Sequence, residues 1–116
     1  MADAKRVICS SADLAEKGKG VRFSVERDGK AVPAFAVRHH GKACAYLNRC
    51  AHLGVELDWE PGEFFDSFGV YLICATHGAA YRPDDGYCIG GPCKGKKLEA
   101  LAIAESDGVI YLMESV

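Results

Sequence analysis

Two short boxes gather the side chains best suited to chemistry, Cys50-Ala51-His52-Leu53-Gly54 and Cys74-Ala75-Thr76-His77-Gly78. Each offers one thiolate and one imidazole, a donor mix that suits iron–sulfur clusters, zinc and copper alike. Spacing narrows the choice. One residue separates Cys50 from His52 and two separate Cys74 from His77, so each box is a tight turn able to give its cysteine to one metal and its histidine to another. Structural zinc sites typically use C-x₂₋₄-C and H-x₃₋₅-H pairs, which these mixed boxes do not match.

The elements that must position the boxes are strands. Short runs rich in Val, Ile, Phe, Tyr and Ala are punctuated by turn signals at Asp28-Gly29, Gly41-Lys42, Asp85-Gly86 and Asp107-Gly108, the pattern of hairpins in an all-β protein. Strands are expected at Arg6–Cys9, Val21–Arg27, Val32–Val37, Ala43–Asn48, Val70–Ile73, Ala80–Arg82, Lys97–Glu105 and Val109–Met113. A short helical turn is expected over Ser11–Lys17, capped by Ser11 or Asp13. From Arg49 to Lys96 glycine, proline and cysteine accumulate and alternation breaks down, which marks a loop-built site inserted within one domain spanning 1–116.

Composition bounds the function. With 116 residues there is room for one modest core and none for a second catalytic domain. The 14 basic and 16 acidic side chains leave a net charge of −2, which argues against nucleic-acid binding. The opening MADAKRVICSSADLAEKGKG scatters charges where a secretory signal needs an apolar run, and no later stretch has the length of a membrane helix. A cytoplasmic protein is expected, in which cysteines serve as metal ligands or buried thiols rather than as a disulfide framework.

The boxes CAHLG and CATHG resemble those of the Rieske family, with its C-x-H and C-x-x-H motifs, and GYCIGGPCKGKKLEALAIAESDGVIYL resembles the Gly-Pro loop and closing strands that follow. The resemblance implies an all-β Rieske fold of stacked antiparallel sheets with a small cluster-binding lobe, about residues 49–96. It implies one [2Fe–2S] cluster per chain, with Cys50 and Cys74 on the inner iron and His52 and His77 on the outer. It also implies that Gly90-Gly91-Pro92 folds over the cluster, and that backbone N–H groups at Leu53–Gly54 and Gly78–Ala80 donate to the sulfurs. High-potential relatives carry a disulfide between the loops and two hydroxyl donors. Here Val55 and Thr76 cannot form that bridge, and Ala79 and Tyr81 leave at most one hydroxyl. A potential in the lower half of the family range of about −150 to +300 mV is therefore expected, as in soluble Rieske ferredoxins.

The other candidates read more plainly. Cys88 and Cys93 flank the Gly-Pro loop and are open to three readings, thiols against the lobe, a disulfide or extra ligands, of which buried thiols are expected; Cys9 and Cys44, in strand patterns, act as small core residues. His39 and His40 fall in a hairpin turn, where solvated side chains pointing apart are expected. Pointing apart, they are not expected to supply the two-histidine, one-carboxylate triad of a mononuclear iron oxygenase. Trp59, Phe64 and Phe65 are expected to pack an extra lobe made by Glu56–Phe68, and Tyr81 either packs or donates to the cluster.

What the resemblance implies is a ferredoxin-like, one-electron carrier, an electron-transfer component rather than an enzyme on its own. It would be monomeric and pass electrons between a reductase and a terminal oxygenase, docking over His52, Leu53, His77, Gly78 and Pro92. The alternatives are a small redox subunit of a larger reductase, such as the nitrite reductase type, and a zinc-structured interaction module. Replacing His52 or His77 by Cys puts a charged thiolate where a neutral imidazole is expected. In an intact cluster the potential should fall toward the roughly −400 mV of all-cysteine ferredoxins; voltammetry showing no change would mean that the histidine is not a ligand.

Overall fold

The computed structural model describes residues 4–49, 56–58, 60, 62–66, 69–74, 78–91 and 95–114. Among them nine strands form three antiparallel sheets. The outer sheet has the order β1-β9-β8, from β1 (Ala4–Ser10), β8 (Ile103–Ser106) and β9 (Val109–Glu114). The middle sheet is a meander of β2 (Val21–Arg27), β3 (Lys30–His39) and β4 (Lys42–Leu47). The third sheet is small, made of β5 (Leu72–Ile73), β6 (Ala80–Tyr81) and β7 (Cys88–Gly90). This is the expected all-β architecture, and no helix among the described residues is long and apolar enough to cross a membrane.

Local sequence sets the hairpins. Asp28-Gly29, His40-Gly41 and Asp107-Gly108 all have positive φ, 52° and 76°, 53° and 74°, and 51° and 77°. Two consecutive left-handed residues match the twist of the flanking strands, and Asp-Gly is among the pairs that adopt them most readily. The second loop is thus one residue earlier than Gly41-Lys42. The expected helical turn shrinks to a 3₁₀ turn over Ser11–Asp13, capped by Ser10 and not by Ser11 or Asp13. The Ala12 N–H donates to Ser10 Oγ at 3.3 Å, and the Ser10 N–H to Asp13 Oδ2 at 3.1 Å. The turn stops there because Leu14 takes an extended conformation and is buried against Ala36, Ala45 and Ile110.

The expected strand Lys97–Glu105 is ordered into the outer sheet only from Ile103. Before that, Lys97 bridges Tyr87 and Ala100 bridges Tyr46, while the Leu101 N–H donates to the Ala45 carbonyl at 2.9 Å. The segment runs from β7 along the edge of β4 before it joins β8, so no single ladder holds it. The strand β7 arises in a Gly- and Cys-rich stretch with no alternation to announce it.

The middle sheet is covered on both faces. In β3, Ala34, Phe35, Ala36 and Val37 are all fully buried. Phe35 and Val37, with their cross-strand partners Tyr46 and Cys44, pack against Leu72, Cys74, Ala79, Tyr81 and Cys88 of the small sheet. Ala34 and Ala36, with Ala45 and Leu47, face Ile110 and Leu112 of the outer sheet. Small side chains line the face toward the outer sheet, and aromatic ones line the face toward the small sheet. Arg38 ties the edges together. Its guanidinium donates to both Glu105 carboxylate oxygens, at 3.1 and 2.7 Å, and to the Leu14 carbonyl at 2.8 Å, and that contact holds the Glu105 carboxyl below its ordinary range.

Tyr46 fastens the turn between β6 and β7 to the middle sheet. Its hydroxyl donates to the Pro83 carbonyl at 2.6 Å, and its ring lies under Gly86, where a Cβ would come within 2.8 Å of Cε1. Burial, reinforced by Cys44, Asp85 and Asp84, pushes the phenol far above its usual value. A group that holds its proton more tightly when folded gives stability that is intact below its unfolded pKa of about 10 and is lost as pH rises beyond it. Denaturant midpoints taken upward from pH 8 should decline above about pH 10. Tyr46→Phe should lose about 1–2 kcal/mol at neutral pH and show a shallower alkaline decline.

Candidate metal centre

Of the four expected ligands, Cys74 lies among the described residues; Cys50, His52 and His77 lie outside them, as do Leu53 and Pro92 of the docking tip and Cys93. Cys74 directly follows β5, is fully buried and is outside any disulfide. Its N–H donates to the Ala79 carbonyl at 2.8 Å, and the Gly78 N–H donates back to the Cys74 carbonyl at 2.8 Å. The two ends of the second box are therefore held together, with a buried Cys74 at its start and an exposed Gly78 with φ 71° at its end. This turn is what a cysteine and a histidine bound to neighbouring metals require, and a [2Fe–2S] cluster fits it. The Gly78 N–H, one of the donors expected for the sulfurs, here donates to the Cys74 carbonyl.

The glycine loop meets the second box closely. Gly91 has φ 89°, and a Cβ there would lie 2.9 Å from Ala79 Cα and 3.2 Å from the Gly78 oxygen. Only glycine allows this approach. Gly90 has open space around its Cα, so the close contact belongs to Gly91 alone. Tyr81 is fully buried in the core that holds Cys74 and Leu72.

The approach to the first box is held by a polar network that sequence reasoning missed. Asn48, fully buried two residues before Cys50, accepts the Leu57 N–H at 2.8 Å and donates to Asp58 Oδ1 at 3.0 Å. Asp58 Oδ2 accepts the Gly62 N–H at 3.0 Å and lies 3.4 Å from Arg22 Nε, while Arg22 also pairs with Glu56. The Gly20 N–H donates to the Gly62 carbonyl at 2.8 Å. Phe64 is fully buried and stacks on Phe35, with ring centroids 4.0 Å apart and planes 13° from parallel. The described part of Glu56–Phe68 is thus welded to β2 and β3 and is not a separate lobe. Phe64 and Phe65 pack as expected but into the main core, and Trp59 lies outside the described residues. An asparagine and an aspartate ten residues apart carry no motif, so only the fold reveals this network.

Two further expectations change. Cys88 is buried but disulfide-bonded, so it is not a buried thiol. Cys44 is a buried core thiol, and Cys9 is a half-buried one; burial pushes both above the ordinary thiol range. His39 and His40 do not point apart. Their ring centroids lie 3.9 Å from each other, and His39 is buried, with Nδ1 2.9 Å from Asp84 Oδ1.

A family profile for the Rieske [2Fe–2S] domain matches residues 4–108, and the chain belongs to that family. No curated protein sequence matches the chain significantly. Among solved structures it is similar to the Sphingomonas yanoikuyae B1 ferredoxin, with a TM-score of 0.73 at 18% identity over 97% of this chain and 100% of that one. The ferredoxin of carbazole 1,9a-dioxygenase from Nocardioides aromaticivorans IC177 gives 0.71 at 16% identity, over 99% of this chain and 100% of its own. The terminal oxygenase of the same system gives 0.72 at 22% identity, with 99% of this chain matching 31% of the oxygenase. At these identities the likeness is one of fold.

Asn48→Ala should leave the Leu57 N–H and an Asp58 oxygen without their partner in a buried setting, at about 1–3 kcal/mol for each group so stranded. A urea midpoint should show a loss of about 2–4 kcal/mol, against about 0.5 kcal/mol or less for a control at an exposed position such as Lys30.

Proposed function

We propose that this chain is a Rieske-type one-electron carrier that takes electrons from a reductase and delivers them to a terminal oxygenase. In this reading Cys50 and Cys74 hold the inner iron of one [2Fe–2S] cluster, and His52 and His77 hold the outer. The observation that carries the reading is the second box, where a fully buried Cys74 opens a turn closed by Gly78 and pressed upon by Gly91. Similarity to free-standing ferredoxins over 97–99% of this chain supports a carrier. So does the likeness of its fold to a complex of reduced oxygenase and oxidized ferredoxin in carbazole 1,9a-dioxygenase. Residues 1–116 form one domain in this proposal, acting as a monomer in the cytoplasm, with the cluster-binding part at about 49–96.

The cluster, when bound, accepts and releases a single electron. The protein's own residues do the rest. Cys74 is held in the core behind Phe35 and Tyr46, so little of the site's surroundings must move on electron transfer. Gly78 is exposed at the end of its box, which leaves a route for a partner to approach the histidine side. Replacing two thiolates by neutral imidazoles removes negative charge from the site and raises the potential above all-cysteine clusters.

Protein purified anaerobically should contain about two irons and two acid-labile sulfides per chain, the content of one cluster with a two-Cys, two-His shell. Once reduced, it should be reoxidised by a Rieske terminal oxygenase with its substrate present. A colourless protein with one zinc and no sulfide would overturn the cluster reading. A loaded protein that no oxygenase reoxidises, but that copurifies with a large reductase chain, would overturn the choice of acceptor.

A further inference from the structure

We propose that His39, His40 and Asp84 form a second metal site, independent of the cluster reading, for one divalent transition ion of the zinc class. One ligand atom from each side chain lies within 4.8 Å of the others. His39 Nδ1 and Asp84 Oδ1 are already 2.9 Å apart. A tetrahedral ion with bonds near 2.0–2.1 Å needs donor atoms about 3.3 Å apart. His40 and Asp84 are exposed, so rotation of their side chains can close the remaining distance.

The site is built from the backbone up. His40 sits in the left-handed region, φ 53°, and the turn is pinned there by Glu16, whose two carboxylate oxygens accept the His40 N–H at 2.6 Å and the Gly41 N–H at 2.7 Å. That conformation brings the His40 ring beside His39 instead of across the strand from it. His39 is fixed from below, buried and stacked on Phe65 with ring centroids 6.2 Å apart. Glu16 and Asp84 place carboxylates near both imidazoles. Lys42, the cross-strand partner of His39, is exposed.

Donor chemistry selects the ion. Calcium and magnesium take oxygen ligands, whereas two imidazoles and one carboxylate suit zinc and its neighbours. Three protein ligands leave the fourth position to water. The ligands come from two sheets, since His39 and His40 lie at the β3–β4 turn and Asp84 in the turn joining β6 to β7. A bound ion would therefore fasten the sheet carrying Cys74 to the middle sheet, beside the Tyr46–Pro83 contact.

The test is calorimetric titration of the oxidised, cluster-loaded protein with Zn²⁺, in parallel with His40→Ala and Asp84→Asn. Both positions are exposed, and an unchanged cluster spectrum and far-UV circular dichroism verify each variant. The wild type should bind one Zn²⁺ per chain, each variant should bind at least tenfold more weakly, and the wild-type Tm should rise with added Zn²⁺ while those of the variants should not. No binding, equal binding in all three proteins, or loss in only one variant would overturn the three-ligand site. If the chain fails to load a cluster, the two boxes can themselves take Zn²⁺, and the site is then read as the one equivalent that His40→Ala and Asp84→Asn each remove from the wild-type total, so failure of the carrier reading stays distinguishable from failure here.

Discussion

The arrangement depends on β3 being buried on both faces. Four consecutive residues, Ala34 to Val37, are fully buried, and alternation along a strand sends successive side chains to opposite sides. The middle sheet must therefore have a partner on each side. The outer sheet covers the alanine face and the small sheet covers the aromatic face. A small two- or three-residue-per-strand sheet is marginal by itself. It holds its shape here because Phe35 and Tyr46 give it an apolar floor, and Cys74 sits on that floor.

Buried polar contacts fasten this stack at two points. Asn48 and Asp58 secure the approach to the first box, and Tyr46 with Pro83 secures the turn beyond the second. These outweigh the exposed ion pairs, such as Arg27–Glu99 and Arg82–Asp85, with half-exposed side chains on both sides. Exposed pairs contribute about 0–1 kcal/mol, whereas a buried group stripped of its partner costs about 1–3 kcal/mol. The anchors thus lie close in sequence to the two Cys/His boxes.

The hairpins and the long strands were legible in the sequence because their determinants are local. Asp-Gly pairs prescribe left-handed turns, and the runs around β2, β3 and β9 carry enough β-branched and aromatic residues to be read directly. The family was legible because cysteine and histidine at the spacings of the two boxes are rare together. What stayed hidden depends on tertiary contact. The register of Glu99–Leu101 follows the edge of β4, the burial of Asn48 follows from Asp58 folding back, and the pairing of His39 with Asp84 joins two turns far apart in the chain. The adjacent histidines misled for a specific reason. Neighbours on an extended strand point apart, but the left-handed φ of His40 and its clamp by Glu16 bring the rings together.

The shortness of β7 has a structural consequence for the site. Ala80 pairs with Gly90 and Tyr81 with Cys88, so Ile89 is the extra residue of a bulge. A bulge bends its strand and re-aims the residues around it. Cys88 is left buried and Ile89 is turned outward, and Gly91 is brought close to Gly78 and Ala79 at the end of the second box. A regular ladder with one residue fewer would carry Gly91 past that contact. The bulge, and the absent Cβ at the residue it delivers, are therefore parts of one device that couples the glycine loop to the turn beginning at Cys74.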